Sequence, residues 1–411
     1  MADDAPERDA PEAPKPPPPS NAERRSPWVQ LKYFNFAPTI YPGMIKVVSK
    51  DARNGDLVHV YDKAGYPFGA GLWNKKARVP LRMFHHGEEP FAEDDFLSLL
   101  DRALDLRRGL LDLPAKTDAF RVVHSDGDQL SGLVVDKLGD TLSVEVHSRG
   151  VYKRLDRWLP RLHEALGTTQ EVVSVDDWVV DMEAIKLKPP RRPAPPSVKL
   201  TEHGIRYEVN FEAGHKTGFF CDQRENRRRL AALVKPTDRV LDLCCYSGGF
   251  ALAAHLLAGA QDVTGVDLDE KAIAQAKRNA NLNQTKAPKW VHCDAFSYAR
   301  QMQRNADQWD VVVLDPPKFV FSKEGLREGQ GKYQDLNRLG VTLVRPGGLL
   351  VTCSCSGQVN DEMFEEWVTR AAHQAGRRLQ LIHRTGAGPD HPVMSNCFES
   401  RYLKVLWARV Y

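Results

Sequence analysis

From Val198 to the C-terminus, short apolar runs alternate with stretches of helical period, and this alternation constrains the fold more than any other feature of the chain. The runs cover 239–243, 262–267, 289–293, 310–315 and 349–354, with later ones near 379–383 and 402–410. Helical stretches fall near 248–258, 269–282, 332–344 and 360–375. Runs of this length joined by helices predict an α/β domain with a doubly wound parallel sheet. In such sheets ligands bind outside the carboxyl ends of the strands. Here those ends carry acids and thiols. Asp242 and Asp267 close the first two runs, and Asp294 follows the third. Asp315-Pro-Pro-Lys-Phe319 closes the fourth, and Gly347-Gly-Leu-Leu-Val-Thr-Cys-Ser-Cys-Ser356 carries the fifth.

Ahead of this domain the pattern differs. Residues 1–26 hold Pro6, Pro11, Pro14 and the run Pro16 to Pro19, offer little to bury, and are expected to be disordered. Residues 27–89 carry short β-like runs at 55–62, 66–73 and 79–84, with a turn at Lys63-Ala-Gly65, which suggests a small β-barrel. Residues 90–197 read as a small α+β domain. A helix over 93–111 shows Phe96, Leu97, Leu100, Ala103, Leu104 and Leu106 at a 3.6-residue period. Strands at 119–124, 130–136 and 141–146 and a helix at 152–166 follow. The segment Lys186-Leu-Lys-Pro-Pro-Arg-Arg-Pro-Ala-Pro-Pro196 is too rich in proline for either element and reads as a basic linker. The α/β domain then occupies 198–411.

Composition narrows the class. Among 411 residues, 42% are hydrophobic and 27% charged, as in soluble globular proteins. No apolar run approaches the roughly 20 residues of a membrane helix, so no membrane partner is expected. The N-terminus carries Asp3, Asp4, Glu7 and Asp9 and no apolar core, so it is not expected to be a secretory leader. Seven scattered cysteines are not a disulfide framework and fit a reducing cytoplasm. No Cys-x-x-Cys pair and no metal-ligand spacing among the histidines occur, so no metal is expected. A net charge of +3 permits a nucleic-acid partner without requiring one.

Val240-Leu-Asp-Leu-Cys-Cys-Tyr-Ser-Gly-Gly-Phe250 reads as a strand, a glycine-containing turn and a helix start. Asp267 lies 25 residues after Asp242, where a carboxylate can accept two ribose hydroxyls. The pattern suits an adenosine cofactor, either a dinucleotide or S-adenosylmethionine. A dinucleotide site wants Gly-x-Gly-x-x-Gly, and the first glycine is missing from Cys244-Cys-Tyr-Ser-Gly-Gly249. Asp242 would also repel a pyrophosphate, whereas it suits a cationic sulfonium amino acid. S-adenosylmethionine is therefore the expected cofactor. The bland alternative is that these acids only terminate strands.

The arrangement resembles class I methyltransferases. Over about 27–411 it resembles the RlmI family of 23S rRNA cytosine-C5 methyltransferases. The matching stretches are Lys216-Thr-Gly-Phe-Phe-Cys-Asp-Gln-Arg-Glu-Asn226, the Asp315 and Cys355 motifs, Asp390-His-Pro-Val393 and Glu399-Ser-Arg-Tyr-Leu-Lys404. The resemblance implies a PUA-like RNA-binding barrel, a central domain and a Rossmann-like seven-stranded catalytic sheet. It implies that Gln223 and Arg224 lie beside the cofactor, and that Asp242, Asp267 and Asp294 hold its amino, ribose and adenine ends. Cys244 and Asp315 complete the expected cofactor-binding set. The implied partner is 23S rRNA or a large-subunit precursor, with a homodimer as an option.

Carbon 5 of cytosine is a poor nucleophile. A thiolate adding at carbon 6 makes it enamine-like, and a carboxyl group at ring nitrogen 3 favours the adduct. Cys353 sits in Thr352-Cys-Ser354, the motif usual for RNA cytosine enzymes, while Cys355 lies seven residues after Gly348, the spacing of the resembled family. If the strand runs through Ser354, both thiols share one face and Cys355 is nearer the open end. Cys355 is the expected nucleophile and Asp315 its acid. The other cysteines, Cys221, Cys244, Cys245, Cys293 and Cys397, read as space-filling. Lys318 stands where related enzymes carry a second cysteine for product release, so the base for that step has no candidate; Lys318 is expected to lower the pKa of the nearby thiol. Asp-Pro-Pro also serves enzymes that methylate exocyclic nitrogens, which leaves a base-nitrogen methyltransferase open. Two basic clusters, Arg224 with Arg227–Arg229 and Lys186 with Lys188, Arg191 and Arg192, could neutralise phosphates or merely be solvated. Trp28, Tyr33, Phe34, Phe36 and Trp73 could stack on bases or fill the barrel core.

Overall fold

The computed structural model describes residues 16–191, 193–211 and 218–411. Two compact units divide between Ala92 and Glu93. In the first, β1 (Trp28–Leu31), β2 (Thr39–Ile40), β3 (Ile45–Val48), β4 (Asp56–Tyr61), β5 (Pro67–Trp73) and β6 (Leu81–His86) form one sheet in the order β2-β6-β5-β4-β1-β3. The Lys63–Gly65 turn forms because Asp62 Oδ1 accepts the amides of Gly65 at 2.7 Å and Tyr66 at 2.9 Å, the usual asparagine-or-aspartate turn. Val58 and Val60 alternate inward along β4 and meet Val29, Leu31, Phe68, Trp73, Leu81 and Met83 in one core.

The expected disordered tail is only partly described, because residues 1–15 lie outside the described residues. Residues 20–26 depart from the expectation. Ser20 donates its amide to Glu23, the Arg24 guanidinium lies 4.6 Å over the Trp28 ring, and the Arg25 amide donates to the Tyr61 hydroxyl at 3.0 Å. Arg24, which also lies over the Tyr61 ring, anchors a segment that has little apolar surface of its own.

The second unit begins with α1 (Asp95–Asp105), whose apolar stripe Phe96, Leu99, Leu100, Ala103 and Leu104 is buried. It continues through β7 (Ala119–His124), β8 (Leu133–Leu138), β9 (Thr141–Val146), α2 (Arg149–Leu166), β10 (Gln170–Ser174) and α3 (Asp177–Glu183), with sheet order β10-β9-β8-β7. A hairpin follows, β11 (Ser197–Glu202) with β12 (Ile205–Asn210). Then come α4 (Arg224–Leu233), β13 (Arg239–Leu243), α5 (Gly249–Leu256), β14 (Asp262–Asp267), α6 (Glu270–Leu282), β15 (Lys289–His292), α7 (Ala295–Arg304), β16 (Trp309–Leu314), α8 (Leu326–Leu343), β17 (Val344–Ser354), α9 (Asp361–Gln374), β18 (Leu379–Thr385) and β19 (Lys404–Val410).

These last strands form a seven-stranded sheet in the order β15-β14-β13-β16-β17-β19-β18. The sheet is parallel except for β19, which runs antiparallel to both β17 and β18. Strand order reverses between β13 and β16, so the carboxyl ends of those two strands flank the crevice where ligands bind. The expected boundary at 197/198 is not a seam. Ala119 and Leu138 share a core with Leu200, Ile205, Tyr207 and Val209 of the hairpin and with Leu252 of α5.

Candidate active site

At the end of β13 the chain turns sharply. Cys244 (φ +64°), Tyr246 (φ +48°) and Gly248 (φ +86°) all lie in the left-handed region. For the two non-glycine residues this costs about 1–3 kcal/mol each, offset by three hydrogen bonds. The Cys245 amide donates to Val266 O at 3.0 Å, Tyr246 to Asp267 Oδ2 at 2.8 Å, and Gly248 to Cys245 O at 2.8 Å. A Cβ on Gly248 would come within 2.5 Å of the Trp290 ring, so only glycine fits there. The second Asp267 oxygen accepts the Asp269 amide at 2.8 Å, which aims the carboxylate at the turn. Asp294 caps α7 through Ser297, with its amide at 2.8 Å and its hydroxyl at 2.9 Å.

Asp242 is wholly buried. One oxygen accepts the Ala251 amide at 3.0 Å, and the other, Oδ1, is buried without a donor among the described residues. Burial pushes its carboxyl up to about 8, the Ala251 amide opposes this, and Asp315 and Asp267 add to it. A buried carboxyl with an unsatisfied oxygen suits a cationic ligand group.

Asp315 follows β16. Gln223 Nε2 donates to Asp315 Oδ2 at 3.1 Å and reaches Cys353 Sγ at 3.6 Å. A relay fixes the orientation of that amide. The Trp407 indole N–H can only donate, and it reaches Thr385 Oγ1 at 2.8 Å; Thr385 donates to Asn226 Oδ1 at 2.7 Å; Asn226 Nδ2 donates to Gln223 Oε1 at 2.7 Å. The Gln223 NH₂ must therefore face Asp315. Burial and then the Asp222 carboxylate push Asp315 up to about 7, against the hydrogen bonds from Gln223 and Cys353. Asp315 can thus hold or release a proton near neutrality.

β17 ends at Ser354, so Cys353 is its last residue but one and Cys355 stands just beyond the end. Both pack on the same cluster. Cys353 is fully buried, and burial followed by Asp315 pushes its thiol well above the ordinary range. Cys355 is partly exposed. Both neighbours of Cys355 are fastened. The Tyr333 hydroxyl from α8 lies 2.9 Å from both Ser354 Oγ and Ser356 Oγ, and Ser356 Oγ accepts the Val320 amide at 3.1 Å. That last bond ties the thiol turn to the loop that carries Asp315. Lys404, opposite Ser354 on β19, donates its ammonium to Ser356 O at 2.6 Å and Tyr402 O at 2.8 Å. Burial pushes Lys404 down to about 8, with Asp361 and Cys355 opposing and Lys318 assisting.

Arg224 does not point at the cofactor crevice. It is fully buried, and its guanidinium closes bidentately on Asp390 at 3.0 and 2.8 Å. Arg227 likewise grips Glu202 at 2.7 and 2.6 Å. The basic cluster on α4 is thus half structural, because the first helical turn faces the protein interior. In the second cluster Lys188 and Arg191 both pair with Asp156, and Arg192 lies outside the described residues. Lys318 faces the Phe321 ring at 5.6 Å. Trp28 and Trp73 are core residues, whereas Tyr33, Phe34 and Phe36 are exposed. Asp222 and Lys404 lie in the family-matching stretches but carry no role there, and Tyr333 lies outside them; their partners Tyr402, Ser356 and Ser354 are distant in the chain. No cysteine is in a disulfide, and among the described residues no helix is long and apolar enough to cross a membrane.

A seven-stranded sheet with a reversed last strand, acids at successive strand ends and a tight turn after the first strand define an S-adenosylmethionine-dependent methyltransferase. The profile of a family described as S-adenosylmethionine-dependent methyltransferase matches residues 195–405, and that of a PUA-like domain matches 29–86. Ribosomal RNA large subunit methyltransferase I of Alteromonas mediterranea is 33% identical over 91% of this chain and 94% of its own length. The protein of the same name from Aeromonas hydrophila is 34% identical over 90% of this chain and 95% of its own length. The chain belongs to the ribosomal RNA large subunit methyltransferase I family. In fold it is similar to an S-adenosylmethionine-dependent methyltransferase from Streptococcus mutans, with TM-score 0.72 and 22% identity, over 88% of this chain and 93% of that one.

The residues fit the cofactor. The orphaned Asp242 oxygen suits its ammonium, and Asp267 keeps lone pairs for the ribose hydroxyls. A carboxyl titrating at about 8 must lose its proton to bind that cation. S-adenosylmethionine affinity is therefore expected to rise up to about tenfold per pH unit from pH 6 toward 8, above which the ligand's own ammonium loses its proton and the gain ends. Calorimetric titrations across that range measure the slope, and Asp242→Asn should abolish it. Stability runs the other way. The folded pKa of Asp242 is raised, so its contribution is complete below the unfolded value near 3.8 and is lost as pH rises through about 8.

Proposed function

We propose that this chain methylates carbon 5 of a cytidine in large-subunit ribosomal RNA in the cytoplasm, with Cys355 as nucleophile and Asp315 as acid. The observation that carries the reading is the placement of Cys355. It is a partly exposed thiol past the end of β17, fastened through Ser356 to the Asp315 loop and beside the buried cation of Lys404. Supporting it are the relatives named ribosomal RNA large subunit methyltransferase I.

The bound cofactor supplies an electrophilic methyl group. The Cys355 thiolate adds to carbon 6, and the electron pair of the 5,6 double bond becomes available at carbon 5. Asp315, held by Gln223 and poised near neutrality, donates a proton to ring nitrogen 3, so no negative charge accumulates on the ring. Once carbon 5 carries the methyl group, its hydrogen leaves as a proton, the double bond re-forms, the sulfur departs as thiolate, and ring nitrogen 3 returns its proton to Asp315. Lys404 holds the thiol turn and adds a positive charge that favours the thiolate. All these roles lie in one chain, so a homodimer is not required.

Nucleoside analysis of RNA methylated by the native protein tests the reading. The expected product is 5-methylcytidine, and an N-methylated adenosine or guanosine would replace this reading with the nitrogen one.

The exposed aromatic residues of the N-terminal unit support RNA binding. Phe36 is 60% exposed and sits beside Phe34 and Phe68. A base stacked on such a ring contributes about 1–3 kcal/mol. Phe36→Ala is expected to weaken RNA binding by that amount in a filter-binding titration and to leave S-adenosylmethionine affinity unchanged.

A further inference from the structure

One buried carboxylate next to Gln223 has no role in the steps above. Asp222 precedes Gln223, is only 9% exposed, and lies close enough to Asp315 to be its largest charged perturbation. Its Oδ2 accepts the Tyr402 hydroxyl at 2.7 Å, and its backbone carbonyl accepts the Gly388 amide at 2.9 Å. Its Oδ1 is buried with no donor among the described residues. A carboxylate oxygen buried without a partner costs about 1–3 kcal/mol or more, and such a group persists where a ligand or a proton meets it.

The other groups nearby are occupied. Gln223 is no base. Cys353 is buried and bonded to Gln223. Lys404 spends two donors on carbonyl oxygens, and Lys318 faces Phe321. Asp242 and Asp267 belong to the cofactor turn. Asp315 and Asp222 are two acids in one site, and like-charge repulsion from Asp222 helps raise Asp315, the acid that holds a proton in the steps above.

We propose that Asp222 is the base that removes the proton from carbon 5 after methyl transfer. The inference rests on the reading of Cys355 as nucleophile. In the step, the C5–H bond breaks and its proton goes to Asp222 Oδ1. Its electron pair re-forms the 5,6 double bond, and the S–C6 bond breaks with its pair returning to sulfur. The proton then passes to solvent, and the step consumes no other reactant.

Asp222→Asn keeps the size and the hydrogen bond from Tyr402 but cannot take the proton. With ordinary cytidine RNA and methyl-labelled S-adenosylmethionine, it should accumulate a methyl-bearing protein–RNA adduct that survives denaturing electrophoresis. Release of methylated RNA should fall about 10²- to 10⁴-fold, and Asp222→Glu should restore part of it. The native protein should show no such adduct on ordinary RNA. Release within threefold of native, or loss of both adduct and product with cofactor binding intact, overturns the inference. On 5-fluorocytidine RNA, where no base can remove the fluorine, native and Asp222→Asn should trap equally. If neither traps, the Cys355 reading has failed rather than this one. If Asp222→Asn does not hold the native melting temperature, Tyr402→Phe carries the test. Removing the hydroxyl on Asp222 should change the lifetime of the adduct and not its rate of formation, and an unchanged lifetime overturns the inference.

Discussion

Cys355→Ala should lower methyl transfer on the order of 10⁴-fold or more, as removal of a covalent nucleophile does elsewhere. S-adenosylmethionine affinity and melting temperature should stay near native values. The size follows from the chemistry, since without addition at carbon 6 no other group in the site makes carbon 5 nucleophilic. The sparing of stability follows from position, because Cys355 is only partly buried at the rim of its cluster. Cys353→Ala should show the reverse pattern. That thiol is fully buried and touches Gln223, so its loss should cost roughly 1 kcal/mol of stability and less than about tenfold in rate. Single-turnover assays and thermal melts of both variants measure the contrast. Equal rate losses would mean that the two thiols share the role.

Arg224→Ala should cost about 3–5 kcal/mol of stability in the C-terminal unit, the range for breaking a buried ion pair from one side. Asp390 is fully buried and also accepts the Arg121 amide at 2.9 Å, so it stays in place and keeps its charge when Arg224 is gone. Burial would raise the Asp390 carboxyl, but His391 and Arg224 hold it well below the ordinary range. Arg107 of the segment after α1 donates to the Asp390 carbonyl at 2.6 Å. The pair therefore locks α4, which begins beside Gln223, to the central sheet and to the Asp390 loop. Denaturant unfolding monitored on the C-terminal unit measures the loss, and removing Asp390 together with Arg224 should recover part of it. Weakened cofactor binding with native stability would instead make Arg224 a cofactor contact.

That reassignment illustrates what the sequence could and could not carry. Strands buried on both faces, such as 239–243 and 262–267, are legible to the residue because parallel core strands are continuous apolar runs. β10 escaped because it is a half-exposed edge strand, and α7 because only Ala295 and Ala299 are buried along it. The acids at the strand ends were legible from position alone. Whether Gln223 or Arg224 faces the site was not, since their partners, Asp315 and Asp390, lie 92 and 166 residues away. The two thiols were legible as alternates on one face. Their difference in burial depends on where β17 stops and on what Gln223 touches. Lys404 and Asp222 gave no local signal, because a buried lysine and an orphaned carboxylate are defined by their surroundings.

Incubation of the protein with S-adenosylmethionine and 5-fluorocytidine-containing ribosomal RNA, followed by denaturing electrophoresis and peptide mapping, tests the central claim most directly. The account predicts a covalent protein–RNA complex joined through Cys355 and absent from Cys355→Ala. No complex with the native protein, or one joined through Cys353, would contradict it.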